Sequence, residues 1–386
     1  MLSGERFQAV YRLAGSREEA LQKAKDICLE QTVEFPEELV PPGTIRDWVV
    51  GRLESFEPCQ DHYRAVVSYA AETAAGELTQ LLNVLFGNIS IKPGYRLEQI
   101  DLPPSMLANF RGPRFGRAGL RDWLGVYHRP LLFTTLKPMG LSAAELAERA
   151  YWFALGGIDL IKDDHGITNQ SFAPFAERVK LCARAVAEAN RVTGGNSVYV
   201  ANITSSYDEI VERARTAKAA GARGLMIAPA ITGLDTMRRI ADDDSIGLPV
   251  FSHPAFQGSY LTSEQSGMSH QVLLGQISRL AGADAVIYPN FGGRFSFSRE
   301  ECESIARGSL VEMGRIKPSF PSPGGGMSLE RIPEMLEVYG RDVIFLIGGG
   351  LFKRGPDLVE NSRYFRKMIE QLADGMYDQN PPQMGL

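Results

Sequence analysis

The chain has 386 residues, with 41 lysines and arginines against 46 aspartates and glutamates, and a formal net charge of −5. This mild negative charge argues against a nucleic-acid partner, whose binding needs a basic domain or stripe. The sequence has neither a run of 18 uncharged apolar residues nor the apolar core of a signal peptide near Met1, so we expect no membrane span and no leader.

The cysteines indicate the compartment. They are Cys28, Cys59, Cys182 and Cys302. They are widely spaced and form no CxxC pair, which favours a reducing cytoplasm over a disulfide framework or a zinc site.

The first hundred residues predict a small α+β domain. Its predicted elements are a strand at 5–13, a helix with apolar positions Ala20, Ala24, Ile27 and Cys28, strands at 49–57 and 62–70, and a helix at 75–87. Strands interleaved with helices are typical of an α+β domain, here expected to be ferredoxin-like. The segment 101–119 is rich in proline, glycine and arginine and marks a boundary. We therefore predict one domain at 1–115 and a second at 116–386.

After residue 130, short apolar runs alternate with helical stretches about eight times. The runs are 131–137, 158–164, 198–204, 224–229, 249–254, 285–290, 316–321 and 343–349. Continuous apolar runs indicate parallel strands that are buried on both faces. Eight such units in about 250 residues predict a (β/α)8 TIM barrel. A doubly wound open sheet is the competing architecture, but the GxGxxG fingerprint that usually follows its first strand is missing.

Polar residues follow the predicted strands where each strand ends. They are Lys137, the cluster Lys162-Asp163-Asp164-His165, Asn202, His253 and Arg294, followed by the glycine triplets 324–326 and 348–350. In a (β/α)8 barrel, residues at the carboxyl ends of the strands line the active site. The sequence therefore predicts a site at that end of the barrel.

The two glycine triplets favour phosphate binding. Barrels often bind phosphate at the loops after strands seven and eight, where glycine lets backbone N–H groups approach an anion. Gly324, Gly325, Gly348 and Gly349 are the candidate residues. The alternative is that each triplet is a tight turn required by the strand-to-helix geometry.

The other polar residues leave more than one interpretation open. The cluster at 162–165 is compatible with a hard cation held through oxygen, or with a solvated polar loop or a buried Lys–Asp pair. Lys137, at the end of an apolar strand, needs a partner or a function. His253 alone is compatible with a core histidine or a catalytic one.

Several motifs together resemble the large-chain family of RuBisCO. FTTLKPMGLS resembles its first-strand signature, and GGIDLIKDDHGITNQSFAPFAERV resembles its second-strand signature. The similarity continues through YVANIT, SHPAF, SPGGG and LIGGG and back to LEQTVE, so it covers nearly the whole chain. The resemblance implies an N-terminal α+β domain, a C-terminal barrel, and a homodimer whose active sites lie between one barrel and the partner's N-terminal domain.

The resemblance also assigns roles to residues. Lys162 matches the lysine that CO2 converts to a carbamate, which binds Mg2+ together with Asp164. A carbamate provides the oxygen ligands that Mg2+ prefers, and its formation requires burial to lower the amine pKa. Lys137 matches the lysine that handles protons at the enediolate. Glu30 matches a catalytic acidic residue that the partner subunit contributes.

The substrate-binding residues follow in the same way. Asn202 and His253 match barrel residues that face the substrate. Gly325, Gly348 and Gly349 match glycines of one phosphate site.

Three departures from the family pattern concern the second phosphate. Pro254 stands where the carboxylases have an arginine, Ile287 where they have a histidine, and Pro323 where they have a serine. Without the arginine and the histidine, little is left to hold a second dianion. We therefore expect a monophosphate substrate.

Other departures concern carboxylation. Met139 replaces a second lysine, Arg294 replaces the lid-loop lysine, and Val84 aligns with an asparagine of the N-terminal domain. Arginine presents a planar fork where the lysine presents a point charge. These changes indicate a form IV RuBisCO-like protein that does not fix CO2.

The residue after Asp164 affects which metal ion the site is expected to bind. His165 stands where the family has a glutamate ligand. An imidazole suits softer cations than Mg2+, so either His165 binds Mn2+ or a similar ion, or it turns away. Because the carbamate and carboxylate oxygens would dominate, we expect one Mg2+ in each subunit.

The sequence leaves three functions open for a phosphorylated sugar or sugar acid. Decarboxylation of a 3-oxo sugar-acid monophosphate needs no base for its first step, and the loss of proton-transfer groups at Met139 and Val84 favours it. Enolisation or isomerisation of a methylthio-ribulose-type phosphate is the second. A non-catalytic sugar-phosphate-binding protein is the third. Assembly beyond a dimer is also left open.

Overall fold

Alternating buried and solvent-facing side chains define the first strand of the N-terminal sheet. The computed structural model describes residues 2–379. Its N-terminal elements are β1 (Arg6–Leu13), α1 (Arg17–Glu30), β2 (Arg52–Pro58), β3 (Tyr63–Ala70), α2 (Leu78–Phe86) and β4 (Tyr95–Asp101). The side chains of Phe7, Ala9, Tyr11 and Leu13 are buried, as period-two alternation requires for a sheet with one covered face.

The N-terminal sheet is antiparallel in the order β4-β1-β3-β2. Helix α1 begins with a capping box formed by Ser16 and Glu19, and its buried residues are the four apolar positions predicted from the sequence. A short fifth strand from the second half of the chain, Gly267–Met268, pairs with β4 in parallel. The small sheet is therefore joined by backbone hydrogen bonds to the barrel region.

Eight parallel strands form the second sheet. In chain order, and counting Gly267–Met268 as β10, they are β5 (Leu131–Leu136), β6 (Leu160–Asp163), β7 (Val198–Asn202), β8 (Gly224–Ile227), β9 (Val250–Ser252), β11 (Ala285–Pro289), β12 (Phe320–Gly324) and β13 (Ile344–Leu346). They pair in the order β12-β11-β9-β8-β7-β6-β5-β13, and β12 also contacts β13, which closes the sheet. The predicted (β/α)8 fold is confirmed, and the doubly wound alternative is wrong.

The helices lie between and around these strands. They are α3 (Pro104–Leu107), α4 (Gly116–Leu124), α5 (Ala143–Leu155), α6 (Phe175–Thr193), α7 (Tyr207–Ala219), α8 (Pro229–Thr232), α9 (Leu234–Asp242), α10 (Gly258–Leu261), α11 (Ser278–Leu280), α12 (Arg299–Gly308), α13 (Ile332–Tyr339), α14 (Gly349–Lys353) and α15 (Leu358–Gln379). No helix of residues 2–379 combines the length and the apolar character that a bilayer crossing requires.

Apolar side chains fill the barrel interior. The rings of Phe133 and Phe251 lie 5.4 Å apart within a cluster formed by alternate residues of the strands. Leu160 of β6 belongs to this cluster, so period-two alternation points Lys162 to the same interior face. Lys162 therefore enters the barrel near the carboxyl end of its strand.

The seventh barrel strand differs from its prediction. The apolar run suggested residues 316–321, whereas β12 spans Phe320–Gly324. The buried guanidinium of Arg279 donates hydrogen bonds to the carbonyl oxygens of Ile316 and Lys317. Because these carbonyls are engaged outside the sheet, the ladder begins later in the chain.

The predicted domain boundary falls at the start of α4, which begins at Gly116. Of the second predicted domain, 116–386, the last seven residues lie outside the described residues. The division at residue 115 stays a prediction.

A buried carboxylate fastens the beginning of α4 to the barrel. Asp284 is fully buried and accepts hydrogen bonds from the backbone N–H groups of Phe115 at 2.7 Å, Gly116 at 2.8 Å and Val250 at 3.0 Å. Burial raises the pKa of Asp284 to about 6, although the three N–H donors oppose this shift.

We expect Asp284→Ala to lower the free energy of unfolding by about 1–3 kcal/mol, because it leaves buried N–H donors without an acceptor. The folded-state pKa of Asp284 is above the usual value of 3.8. At pH values between 3.8 and about 6, the folded protein therefore keeps this proton whereas the unfolded chain has lost it. The wild-type stability that depends on Asp284 should therefore grow as the pH falls from about 7 towards 4.

Urea unfolding at pH 7 and pH 5 measures both effects. Asp244→Ala, which changes an exposed carboxylate, is the control and should change the stability little. If the difference in unfolding free energy between wild type and Asp284→Ala were smaller at pH 5 than at pH 7, the raised pKa of Asp284 would be contradicted.

Candidate active site at the carboxyl ends of the barrel strands

Two adjacent strands bring the predicted lysines together. Lys162 of β6 pairs in register with Thr135 of β5, and Lys137 lies just beyond the end of β5. Lys162 is only 2% exposed, and its Nζ donates to the backbone carbonyl of Asp163 at 3.0 Å. Burial lowers the pKa of Lys162 to about 8, although the Asp164 carboxylate opposes this shift and the Lys137 charge adds to it.

Asp164 is the charged centre of the site. Its Oδ2 forms an ion pair with Lys137 Nζ, and its Oδ1 lies 3.0 Å from His165 Nδ1 and accepts from the Gly166 N–H. Burial alone would raise the pKa of Asp164, but the hydrogen bonds from His165 and Lys137 outweigh it and hold the pKa well below its usual range. The Asp164 carboxylate is therefore ionised, and its oxygens lie beside N–H groups of Lys137, His165 and Gly166.

The two histidines of the site are stacked. The rings of His165 and His253 lie 4.4 Å apart and are inclined by 12°. The Ala255 N–H donates to His253 Nδ1 at 3.2 Å, so the ring proton of His253 is on Nε2. Burial and the charge of Lys162 hold the pKa of His253 well below its usual value. His253 is thus a neutral imidazole with an Nε2–H donor.

Asn202 supports the loop that carries the histidine. Its side chain is fully buried, and its amide donates to the carbonyls of His165 and Ile167 at 3.0 Å each. Its carbonyl oxygen accepts from the Thr204 N–H at 3.1 Å. The amide N–H groups of Asn202 thus hold residues 165 and 167, its carbonyl oxygen holds Thr204, and its predicted contact with the substrate stays a prediction.

The second glycine triplet lies beside Lys137. A Cβ added at Gly348 would lie 2.7 Å from Thr135 Cγ2 and 3.8 Å from Lys137 Cε. A Cβ added at Gly349 would meet nothing within 4 Å, so this residue borders open space. The backbone of the loop after β13 therefore approaches the lysine that contacts Asp164.

The first triplet contacts strand β13 and the loop that carries Arg294. A Cβ at Gly324 would lie 3.0 Å from Leu346 of β13, and the Arg294 N–H donates to the Gly325 carbonyl at 3.2 Å. The exposed Arg294 guanidinium lies over the ring of Phe295, 4.9 Å from its centre. The first triplet therefore lies at the end of β12 beside β13, the strand that the second triplet follows.

Glu30 lies at the end of α1 in the N-terminal domain. Its carboxylate accepts from Asn88 at 3.0 Å and from Lys92 at 3.2 Å. These two hydrogen bonds hold the pKa of Glu30 below its usual range. The single chain thus orients Glu30 within its own domain and apart from the cluster around Asp164.

Behind the site lies an ion pair that sequence reasoning missed. Arg178 of α6 and Asp163 are both fully buried, with 3.3 Å between Arg178 Nε and Asp163 Oδ1. The Tyr199 hydroxyl donates to Asp163 at 2.8 Å, and the Asn202 N–H donates to its other oxygen at 3.0 Å. The available signal was an arginine on the apolar face of a predicted helix, at helical spacing from Phe175 and Cys182.

Comparison with known proteins identifies relatives over most of the chain. Residues 116–355 match the family model described as "Ribulose bisphosphate carboxylase large chain, catalytic domain". The chain is 40% identical over 362 or 363 residues to two bacterial proteins, and one of these is the 5-methylthioribulose-1-phosphate isomerase of Rhodospirillum rubrum, with 94% of this chain and 95% of that protein covered.

Two further matches extend this result. The 2,3-diketo-5-methylthiopentyl-1-phosphate enolase of Geobacillus thermodenitrificans is 33% identical, with 88% of this chain and 81% of that protein covered. The crystal structure of a Rubisco-like protein from Rhodopseudomonas palustris superposes with a TM-score of 0.86 at 38% identity, covering 95% of this chain and 98% of that one.

We expect Arg178→Met to lower the free energy of unfolding by about 3–5 kcal/mol, because it leaves the buried Asp163 charge without its partner. Arg191→Met is the matched control on the same helix, since Arg191 pairs with Glu188 on the surface and its loss should change the stability little. Urea unfolding of the two variants measures the difference. Equal stabilities would show that the Asp163 pair does not hold the end of β6.

Proposed function

Since this chain belongs to the ribulose bisphosphate carboxylase large-chain family, we propose that it is a RuBisCO-like enzyme of the enolase or isomerase type, acting on a phosphorylated keto-sugar. In this reaction a proton is removed next to a carbonyl and returned at another atom. The relatives named as an isomerase and as an enolase support this class of reaction.

The position of Lys137 carries the proposal. Its ammonium group contacts Asp164, and its side chain lies against Gly348 of the second glycine loop. A substrate whose phosphate binds at the glycine loops would therefore present its nearby carbons to Lys137. General acid–base transfer requires such a group within hydrogen-bond reach of the reacting atom.

The residues of the site fit a divalent cation if Lys162 is carbamylated. Among the described residues, no three His, Cys, Asp or Glu side chains cluster in a way that could hold a metal ion. The pair Asp164 and His165 therefore needs a third ligand, and Lys162 is buried beside Asp164 with a lowered pKa, as reaction with CO2 requires. We propose that these three residues hold the cation, Mg2+ in the family resemblance.

A bound cation would polarise the carbonyl of the substrate and stabilise the enediolate charge. His253 would assist as a neutral donor, because its Nε2 carries the ring proton. Lys137 would move the proton. The apolar interior cluster, which includes Leu160 on the same face of β6 as the buried Lys162, would keep water from the base of the site.

The proposed substrate carries one phosphate. At one end of the site, the glycine loops have no side chains, so their backbone N–H groups can come close to a phosphate. At the other end, Pro254 and the buried Ile287 offer no charged group for a second phosphate. The exposed Arg294 is the candidate for a polar substrate contact from the loop after β11.

Decarboxylation of a phosphorylated 3-oxo sugar acid is the second candidate. The observation that favours it is Met139, whose side chain is exposed at the mouth and whose Cε would lie 2.6 Å from a Cβ at Gly166. An apolar thioether thus occupies the edge of the site, and Val84 is buried within α2. Fewer proton-transfer groups are then available beside Lys137.

We further propose that two chains form a homodimer in which Glu30 completes the partner's site. The support is that Glu30 is ionised and oriented by Asn88 and Lys92, yet has no hydrogen bond to the described barrel residues of its own chain. The cysteines are free, which supports a cytoplasmic location.

We expect Lys162→Met to abolish bicarbonate-dependent binding of a divalent cation, because methionine keeps the apolar stem and cannot form a carbamate. Calorimetric titration with Mg2+ and with Mn2+, with and without bicarbonate, measures this. Lys180→Met, on the exposed face of α6, is the control and should bind as the wild type does. Equal metal affinity in Lys162→Met would refute the carbamate.

We expect the wild type to exchange a carbon-bound hydrogen of 5-methylthioribulose 1-phosphate, or of a related keto-sugar monophosphate, for deuterium in D2O. Lys137→Met should slow this exchange by about 10²- to 10⁴-fold, because the proton-transfer group is lost. Proton NMR measures the exchange, and Lys180→Met is again the control.

The same incubation separates the alternatives. Release of CO2 from a 3-oxo sugar-acid phosphate, without deuterium exchange, would select decarboxylation. Binding of the monophosphates without either reaction would select the non-catalytic sugar-phosphate-binding protein.

A further inference from the structure

His165 occupies a position that an ordinary polar loop does not explain. Its Nδ1 lies 3.0 Å from Asp164 Oδ1, and its ring is stacked on the buried ring of His253. The side chain is 46% exposed, so burial in an apolar core does not account for its position. Its backbone carbonyl is nevertheless fixed by the Asn202 amide at 3.0 Å. The nitrogen beside the carboxylate is therefore held in place from two directions.

We propose that His165 is a nitrogen ligand of the cation, through Nδ1, and that it makes the site prefer Mn2+ and similar transition-metal ions over Mg2+. The inference rests on the metal site of the proposed function and replaces the expected Mg2+. It concerns which ion is held and does not depend on which reaction follows.

The separation of the two atoms supports shared coordination. Two ligands with bonds of about 2.1 Å at a right angle on a six-coordinate cation lie about 3.0 Å apart. The observed Nδ1–Oδ1 distance is 3.0 Å. A cation can thus bind both atoms with little movement of either side chain, once the ring proton moves from Nδ1 to Nε2.

The partner of His165 limits its freedom. His253 is held through its backbone N–H, which donates to Ile227 at 2.8 Å, and through Nδ1, which accepts from Ala255 at 3.2 Å. Since the His165 ring lies parallel to this fixed ring at 4.4 Å, rotation away from Asp164 would break the stack. Pre-positioned nitrogen lowers the cost of forming the bond.

The chemistry of the donors then decides the ion. Mg2+ prefers oxygen and keeps its waters, whereas transition-metal ions, including Mn2+ as the most oxygen-preferring of them, accept imidazole nitrogen more readily than Mg2+ does. One nitrogen among carboxylate-type oxygens therefore shifts the preference without excluding Mg2+. A glutamate at 165 would restore an all-oxygen donor set.

The chain contains a matched control. Asp61 and His62 form the same consecutive Asp–His pair, with 2.8 Å between His62 Nδ1 and Asp61 Oδ1. This pair lies in the N-terminal domain, where Arg12 also contacts Asp61. It has a similar Nδ1–Oδ1 distance to the pair at 164–165, and among the described residues the charged partners of Asp61 are Arg12 and His62.

Pulsed electron paramagnetic resonance of Mn2+ bound to the full-length protein in bicarbonate tests the proposal. We expect 14N modulation from a directly bound imidazole in the wild type and in His62→Glu, and none in His165→Glu. Replacing all histidine nitrogen by 15N in the wild type should convert the signal to the 15N pattern, which needs no variant and is informative even if His165→Glu folds poorly.

Competition between Mn2+ and Mg2+ provides the second measurement. The wild type should bind Mn2+ at least about tenfold more tightly than Mg2+, and His165→Glu should reduce this ratio. Bound Mn2+ without nitrogen modulation in the wild type, or modulation that persists in His165→Glu, would overturn the inference. Neither measurement contains substrate, so absence of deuterium exchange would defeat the proposed function and leave the nitrogen ligand standing.

Discussion

The site depends on the opposite orientations of two consecutive aspartates, Asp163 and Asp164, at the end of β6. Successive residues of a strand point to opposite faces. At the end of β6, Asp163 points outward to the fully buried Arg178, while Asp164 meets Lys137 and His165 at the barrel mouth. A buried charge is tolerated only when it is paired and hydrogen-bonded. Each aspartate thus has its own cation, and Lys162 between them is left with a backbone carbonyl as its partner.

This division accounts for the lowered pKa of the Lys162 amine, on which the proposed carbamate depends. Burial destabilises its charged form, and the Asp164 carboxylate that would stabilise it is already paired with Lys137. Asp163 is paired with Arg178 on the outer side of the strand, so both aspartates have other cations as ion-pair partners.

The sequence predicted those parts of the structure that depend on local pattern. The eight buried strands, the glycine loops and the polar strand ends follow from periodicity, and they place Lys137, Lys162 and His253 at one end of the barrel. Features that depend on distant partners were not predicted. The pairing of Asp163 with Arg178 joins separate elements, and Arg279 delays the start of β12 by taking carbonyl oxygens that a strand would use. The contacts of Asn202 with the carbonyls of the 164–167 loop were not predicted either, since only the folded loop shows which carbonyls it meets.

Gly348 is the point at which the proposed phosphate loop meets Lys137, the proposed proton-transfer group. Any side chain there would place its Cβ 2.7 Å from Thr135 Cγ2, and Thr135 is a β-branched residue held in a barrel strand that cannot easily yield. The absence of a side chain lets the loop after β13 lie directly over the end of β5, next to the Lys137 stem. A phosphate bound by that loop would be held at a fixed distance from the lysine and from Asp164. The position of the reacting carbon would then be set by the backbone, and side chains farther out, such as Met139, would decide only what else the site admits.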